Sequence, residues 1–137
     1  MKTIVLDTNV LIDNVYGHAD WLDKLLLASN KFLLVVPTIV VAEYHTAEEL
    51  ETKLGMEKSR EYLNQFKIQD LTIGIAEILG RILRRRTYAP GANMGDLIVA
   101  STAVFVDGEL ATRNRKDFGK IPDLKFFDPD AGQYSRL

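Results

Sequence analysis

Apolar residues along this chain follow two rhythms. Short unbroken runs, "TIVL" at 3–6 and "FLLVVP" at 32–37, have strand length and no polar face, as strands buried on both sides require. Between and after them, apolar positions recur every three or four residues, the helical period. "HADWLDKLLLAS" carries Trp21, Leu22, Leu25 and Leu26 at that spacing and is closed by Asn30. "TIVVAEYHTAEELETKLG" predicts one long helix with Thr38 as N-cap and Gly55 as its stop. "MEKSREYLNQF" predicts a second amphipathic helix, with Met56, Tyr62, Leu63 and Phe66 mostly on one side. "LTIGIAEILGRILRRR" predicts a further one through Ile75, Ile78, Leu79, Ile82 and Leu83, although its two glycines weaken the pattern. "TYAPGANMG" is punctuated as a loop, and "DLIVASTAVFVDG" predicts a helix from Asp96 to Gly108. "KIQD", "ELATRN" and "LKFFD" predict three more short strands. Strands alternating with helices predict an α/β fold with a mostly parallel sheet, right-handed crossovers and helices on both faces.

Composition narrows the class without changing the picture. The 137 residues fit one domain, 1–137, and no internal repeat stands out. A chain of this size buries roughly two thirds of its unfolded surface, enough for a core without staples. The absence of cysteine excludes disulfides, thiolate metal sites and a cysteine nucleophile. No apolar run approaches the ~18 residues that a membrane span needs, and the N-terminus does not read as a signal peptide, so a cytoplasmic protein without membrane contact is expected. Net charge is −2, from 17 basic and 19 acidic residues, which argues against nucleic-acid binding by bulk charge. The basic residues are nonetheless clustered: Arg81, Arg84, Arg85 and Arg86 in one group, Arg113, Arg115 and Lys116 in another.

Several polar residues stand where an ordinary core would not place them. Asp7 lies at the carboxyl end of the first strand, between two apolar runs. Glu43 is wedged into "IVVAEY", early in the helix after the second strand. Asp96 opens the helix before the fourth strand, and Asn114 and Asp117 follow that strand in "TRNRKDF". Ligands of open parallel sheets bind at the carboxyl ends of strands, where the strand order reverses. Acids converging there would raise one another's pKa and destabilise the fold unless a divalent cation resolved the conflict. Mg²⁺ or Mn²⁺ prefers oxygen ligands, and such ions support phosphodiester hydrolysis.

Each position also has a plain structural reading. Asp7 could end a strand and cap a helix, and Asp96 after Gly95 is a good N-cap, worth about 1 kcal/mol. Glu43 could face solvent, and Asn114 and Asp117 could shape a turn through local side-chain bonds. "RILRRR" could merely place cations at a helix C-terminus, where the dipole favours them. Only the joint pattern points to a site.

That pattern resembles a known family. "LDTNVLID", "PTIVVAEY", "GDLIVASTAV" and "LATRNRKDF", in this order and spacing between residue 3 and about residue 128, resemble the PIN-domain nucleases, and most closely their VapC-type toxins. The resemblance implies a three-layer α/β/α PIN-like domain and a metal-dependent endoribonuclease using Mg²⁺ or Mn²⁺. It implies that Asp7, Glu43 and Asp96 bind metal. A fourth position is shared between Asn114, a neutral ligand, and Asp117, the acid given more weight. It also implies that Thr8, Asn9 and Thr112 support these ligands. Here "DLIVAST" stands where the family more often has alanines, a small change of core volume. The family uses no histidine catalyst, and His18 and His45 are expected to be a loop or helix-start residue and a surface helix residue. RNA is the implied substrate, with Arg85, Arg86, Arg113 and Arg115 the candidate backbone contacts. A homodimer and a small VapB-like antitoxin covering the acidic pocket are the implied partners, with residues 38–66 as the docking region. Two other readings remain open: a PIN nuclease of RNA processing without an antitoxin, and a catalytically weak PIN module that binds RNA or protein. A phosphatase with Asp7 as nucleophile would want an acid at position 9, where Asn9 stands.

Overall fold

A computed structural model describes residues 1–131, apart from the side chains at 48 and 49; the last six residues of the expected 1–137 domain lie outside it. The apolar runs form the strands they predict. β1 (Lys2–Leu6) and β2 (Phe32–Pro37) are joined by three shorter strands, β3 (Lys67–Gln69), β4 (Glu109–Ala111) and β5 (Lys125–Phe126), in the order β3-β2-β1-β4-β5. Every pairing is parallel. Six helices, α1 (Thr8–Val15), α2 (Asp20–Leu27), α3 (Thr38–Tyr44), α4 (Lys53–Leu63), α5 (Ile73–Arg85) and α6 (Met94–Phe105), complete a three-layer α/β/α fold.

The central strands explain why the runs are unbroken. Ile4, Val5, Leu6, Leu34, Val35 and Val36 are all buried, because helices cover both faces of a parallel sheet. Each such side chain contributes about 1.5–3 kcal/mol by leaving water. The order of strands reverses at β1: its chain successor β2 lies on one side and β4 on the other. Leu6 is registered against Ala111, and the Asp7 N–H donates to the Ala111 carbonyl at 3.0 Å. The fork between β1 and β4 is therefore where an open sheet leaves a crevice.

Several predicted boundaries are corrected. The single helix expected from Thr38 to Gly55 is two helices with a 3₁₀ turn, Glu48–Glu51, between them. Side chains end the first: the Thr46 hydroxyl donates to the Glu43 carbonyl at 2.8 Å, and His45 Nδ1 donates to the Val41 carbonyl at 2.7 Å. Both consume carbonyls that lie at the helix end. Thr52 then opens α4 by accepting the Gly55 N–H at 3.0 Å, so Gly55 sits in the first turn of a helix rather than stopping one. Pro37, not Thr38, occupies the cap position of α3. His45 is a half-buried C-cap whose Nε2 accepts from Ser59, not a surface helix residue. Glu43 consequently stands in the last turn of a short helix, not early in a long one. Asp96 is not the first residue of its helix either; α6 starts two residues earlier, capped by Asn93. Among the described residues, no helix is long and apolar enough to cross a membrane.

Candidate active site

Asp7 is the residue the fold treats most unusually. It ends β1, caps α1, and is buried, with 6% of its surface exposed. Its carboxylate takes three bonds: from the Thr8 N–H to Oδ1 at 2.8 Å, from the Thr112 hydroxyl to Oδ2 at 2.8 Å, and a longer one from Asn9 Nδ2 at 3.4 Å. All three donors are neutral. Burial pushes the Asp7 pKa above its ordinary 3.8; the Thr112 and Thr8 bonds oppose this, and the negative charges of Asp96 and Glu43 add to it. Among the described residues, no lysine or arginine is ion-paired with any of these three acids.

The other two acids are held differently. Glu43 is half-buried, and the Thr8 hydroxyl donates to its Oε1 at 2.9 Å. Thr8 thus ties α1 to α3 across the sheet's carboxyl edge. Glu43 Oε2 faces the start of α6, where a Cβ on Gly95 would stand 3.4 Å from it and 3.2 Å from Asn93 Oδ1. A Cβ at 95 would crowd Asn93 Oδ1 and meet Glu43 only at ordinary contact distance. Asp96 belongs to a reciprocal capping box. Its backbone N–H donates to Asn93 Oδ1 at 2.9 Å, and its Oδ2 accepts from the Asn93 N–H at 3.1 Å.

The fourth segment begins beside Thr112 at the end of β4. Asn114 is exposed and precedes the 3₁₀ turn Arg115–Asp117, with its N–H donating to Thr112 Oγ1 at 3.2 Å. Asp117 is half-buried in that turn and is not among the charges acting on Asp7. Of the supporting residues expected from the sequence, all three make direct contacts: Thr8 with Glu43, Thr112 with Asp7, and Asn9 with both Asp7 and Thr112. Asn9 Oδ1 also accepts the Arg113 N–H at 3.1 Å, closing the fork between β1 and β4.

The candidate arginines divide. Arg85 and Arg86 are exposed at the end of α5, where Arg86 adopts the left-handed conformation with φ 53°. Arg113 Nη1 pairs with Asp13 Oδ1 at 2.7 Å while 61% of its side chain stays exposed. Arg115 donates to the Phe127 carbonyl at 2.9 Å and lies over the Phe126 ring at 5.3 Å. Asp13 and Asn93 went unnoticed in the sequence. "NMGD", an N-cap residue followed three later by an acid, was the available signal for Asn93.

The donor set at this edge is entirely oxygen: three carboxylates with two threonine hydroxyls. That chemistry suits a hard divalent cation, and a buried carboxylate with raised pKa and only neutral partners is what such a cation would stabilise. The carboxylates do not stand as a closed cage, since among the described residues no three acidic or histidine side chains are grouped tightly enough to be a ready metal site. The hydrogen bonds of Thr8 to Glu43 and of Asn93 to Asp96 fix one oxygen of each acid and leave the other outside those bonds.

Known proteins share the sequence pattern and the fold of this chain. The PIN domain profile matches residues 4–124. Ribonuclease VapC10 of Mycobacterium tuberculosis is 31% identical over 127 residues, 89% of this chain and 90% of that protein. Among solved structures, VapBC2 from Rickettsia felis, bound to a DNA fragment from their promoter, superposes with a TM-score of 0.75 at 23% identity, covering 91% of this chain and 97% of that one. A toxin–antitoxin complex from Klebsiella pneumoniae gives 0.65 at 27% identity, with coverage of 88% and 94%.

Proposed function

This chain belongs to the PIN-domain family, among the VapC ribonucleases, and from that premise we propose that it is a divalent-metal-dependent endoribonuclease, the toxin of a VapBC-type pair. The observation that carries the reading is Asp7: a buried acid, fed by neutral donors alone, bearing the charge of Glu43 and Asp96 from distant parts of the chain. Asp7, Glu43 and Asp96 would hold Mg²⁺ or Mn²⁺, which when bound offsets negative charge on the phosphate and activates water, worth several kcal/mol of barrier. The chain's own residues then have defined tasks. Thr112 fixes Asp7 Oδ2, Thr8 fixes Glu43 Oε1, and the Asn93 box fixes one oxygen of Asp96. Asn9 braces the β1–β4 fork on which Asp7 and Thr112 sit. The fourth position, in the segment after β4, would be filled by Asp117 as the acid or by Asn114 as a neutral ligand. Arg85, Arg86 and Arg113 meet the RNA backbone, and Arg115 is braced by Phe126 and Phe127.

A VapB-like antitoxin and a homodimer belong to the same proposal. The Klebsiella relative is a toxin–antitoxin complex. Here a cleft of about 320 Å³ is lined by Ile12, Val15, Tyr16 and Tyr44 together with Glu43, so a partner seated in it would touch one of the acids.

The test is cleavage of RNA by wild type and Asp7→Asn in Mg²⁺, in Mn²⁺ and in EDTA. Cleavage should need the ion and the carboxylate. Equal cleavage in chelator or by the variant would refute the proposal.

A further inference from the structure

Next to the acids lies a second recess, of which the proposed function uses only Thr112 and Arg113. It is a cleft of about 180 Å³ between the α1–α2 connection, the end of β4 and the segment after β5. Trp21 and Phe127 form its apolar floor, with ring centroids 5.3 Å apart and planes inclined at 41°. Phe127 is buried and Trp21 only half-buried, so Trp21 supplies the aromatic surface still open to a ligand. The rim is polar: Asp13, Arg113 and His18. Arg113 donates to Asp13 Oδ1, and Asp13 Oδ2 has no hydrogen-bond partner among the described residues. The wall shared with the acids is Thr112, whose hydroxyl donates to Asp7 Oδ2 at 2.8 Å.

Resting on the ribonuclease reading, we propose that this recess holds an unpaired nucleobase of the RNA beside the scissile phosphate. The base stacks on Trp21, Asp13 reads its hydrogen-bonding edge through the oxygen that Arg113 does not engage, and Arg113 keeps its contact with the RNA backbone. Single-stranded RNA is recognised by splaying bases onto aromatic rings and bonding their exposed edges. An aromatic floor beneath a carboxylate and a guanidinium offers both within one cleft. The polar rim also separates this occupant from an apolar side chain of a protein partner. Such a side chain would cover the Asp13–Arg113 pair without satisfying it, an unfavourable burial of charge, whereas a base presents its own donors and acceptors there. Thr112 sets the distance: a base in the recess keeps its nucleotide against the residue that positions Asp7.

Trp21 is the sole tryptophan of the chain, so its emission reports on this cleft alone. Asp7→Asn protein in EDTA is titrated with short single-stranded RNA oligonucleotides, intact or carrying an abasic site at successive positions. Intact RNA should quench Trp21, and one abasic position should abolish the quench. In parallel, wild type and Asp13→Asn cleave a randomised RNA pool in Mn²⁺. The preference at one position beside the cut should flatten in Asp13→Asn by about tenfold, the scale of one lost base contact. RNA that binds by filter assay without changing Trp21 emission, together with an unchanged cleavage preference in Asp13→Asn, would overturn the proposal and leave the ribonuclease reading standing. Quenching by an antitoxin but by no RNA would also overturn it and assign the recess to a protein. RNA quenching of Trp21 in a protein that never cleaves would keep the recess and sink the ribonuclease reading.

Discussion

Asp7 and Asp96 are acids of the same type at comparable places, the N-cap of α1 and the first turn of α6, yet the fold treats them in opposite ways. Asp96 is half-exposed and its bonds are local, both made with Asn93. Asp7 is buried, and one of its partners, Thr112, lies 105 residues away. A capping role accounts for the whole environment of Asp96. For Asp7 it accounts only for the Thr8 N–H, and the burial and the distant hydroxyl need another explanation. The contrast teaches that capping and site roles can share one carboxylate: Asp96 is held by local partners and still brings its charge to bear on Asp7.

The largest effect that could break this contrast is on activity. Asp7→Asn and Asp96→Asn should each lower RNA cleavage by about 10³-fold or more, because several kcal/mol of barrier depend on the ion both would hold. If Asp96→Asn cleaves like wild type, Asp96 is a cap and nothing else.

Stability against pH sharpens the same contrast. The Asp7 pKa lies above 3.8 in the fold, so between 3.8 and the raised value the folded chain keeps a proton that the unfolded chain has released. The stability this group contributes is therefore fully present below 3.8 and is lost as pH rises through the raised value. In metal-free protein, the melting temperature of Asp7→Asn should gain on wild type from pH 4 to pH 8. A constant difference across that range would mean Asp7 is not held against its charge. Asp96→Ala, by contrast, should cost about 1 kcal/mol at pH 7 through the lost capping bond.

A smaller effect isolates Thr112. Thr112→Val removes the hydroxyl from Asp7 and leaves buried acceptors short of a donor, costing about 1–3 kcal/mol. It should also raise the Mn²⁺ concentration for half-maximal cleavage several-fold, and Thr112→Ser should restore it. Loss of stability without a change in metal requirement would make Thr112 a brace of the fold only.

The smallest effect lies far from the acids. Gly80 is inside α5, and a Cβ there meets nothing within 4 Å. Gly80→Ala should stabilise the protein by about 0.5–1 kcal/mol with no effect on cleavage. A change in activity would show that α5 flexes in function.

What the sequence revealed and what it hid follow from range. The strands were readable because burial on both faces leaves an unbroken apolar run, as in Ile4–Leu6 and Leu34–Val36. The break at 45–52 was not, because the side-chain bonds of Thr46 and His45 that end α3 compete with a helical pattern continuing through "AEELETKLG". Gly55 misled for a related reason: the bond from its N–H to Thr52 makes a helix start where composition indicated an end. Asp7, Glu43 and Asp96 stood out as polar residues among apolar ones, and the fold brings their charges to bear on one carboxylate. The bonds that join the segments, Thr112 to Asp7 and Thr8 to Glu43, cross 105 and 35 residues and leave no mark on local periodicity. The family resemblance supplied Thr8, Asn9 and Thr112 as supports. Asp13 had no such signal, since its pairing with Arg113 exists only once α1 and the end of β4 meet.

The most direct measurement is diffraction from crystals soaked in Mn²⁺, using the ion's anomalous signal to place it. The account requires at least one ion within ~2.0–2.3 Å of an Asp7 oxygen and in contact with Glu43 or Asp96 as well. Ions confined to surface carboxylates, with none at Asp7, would contradict it.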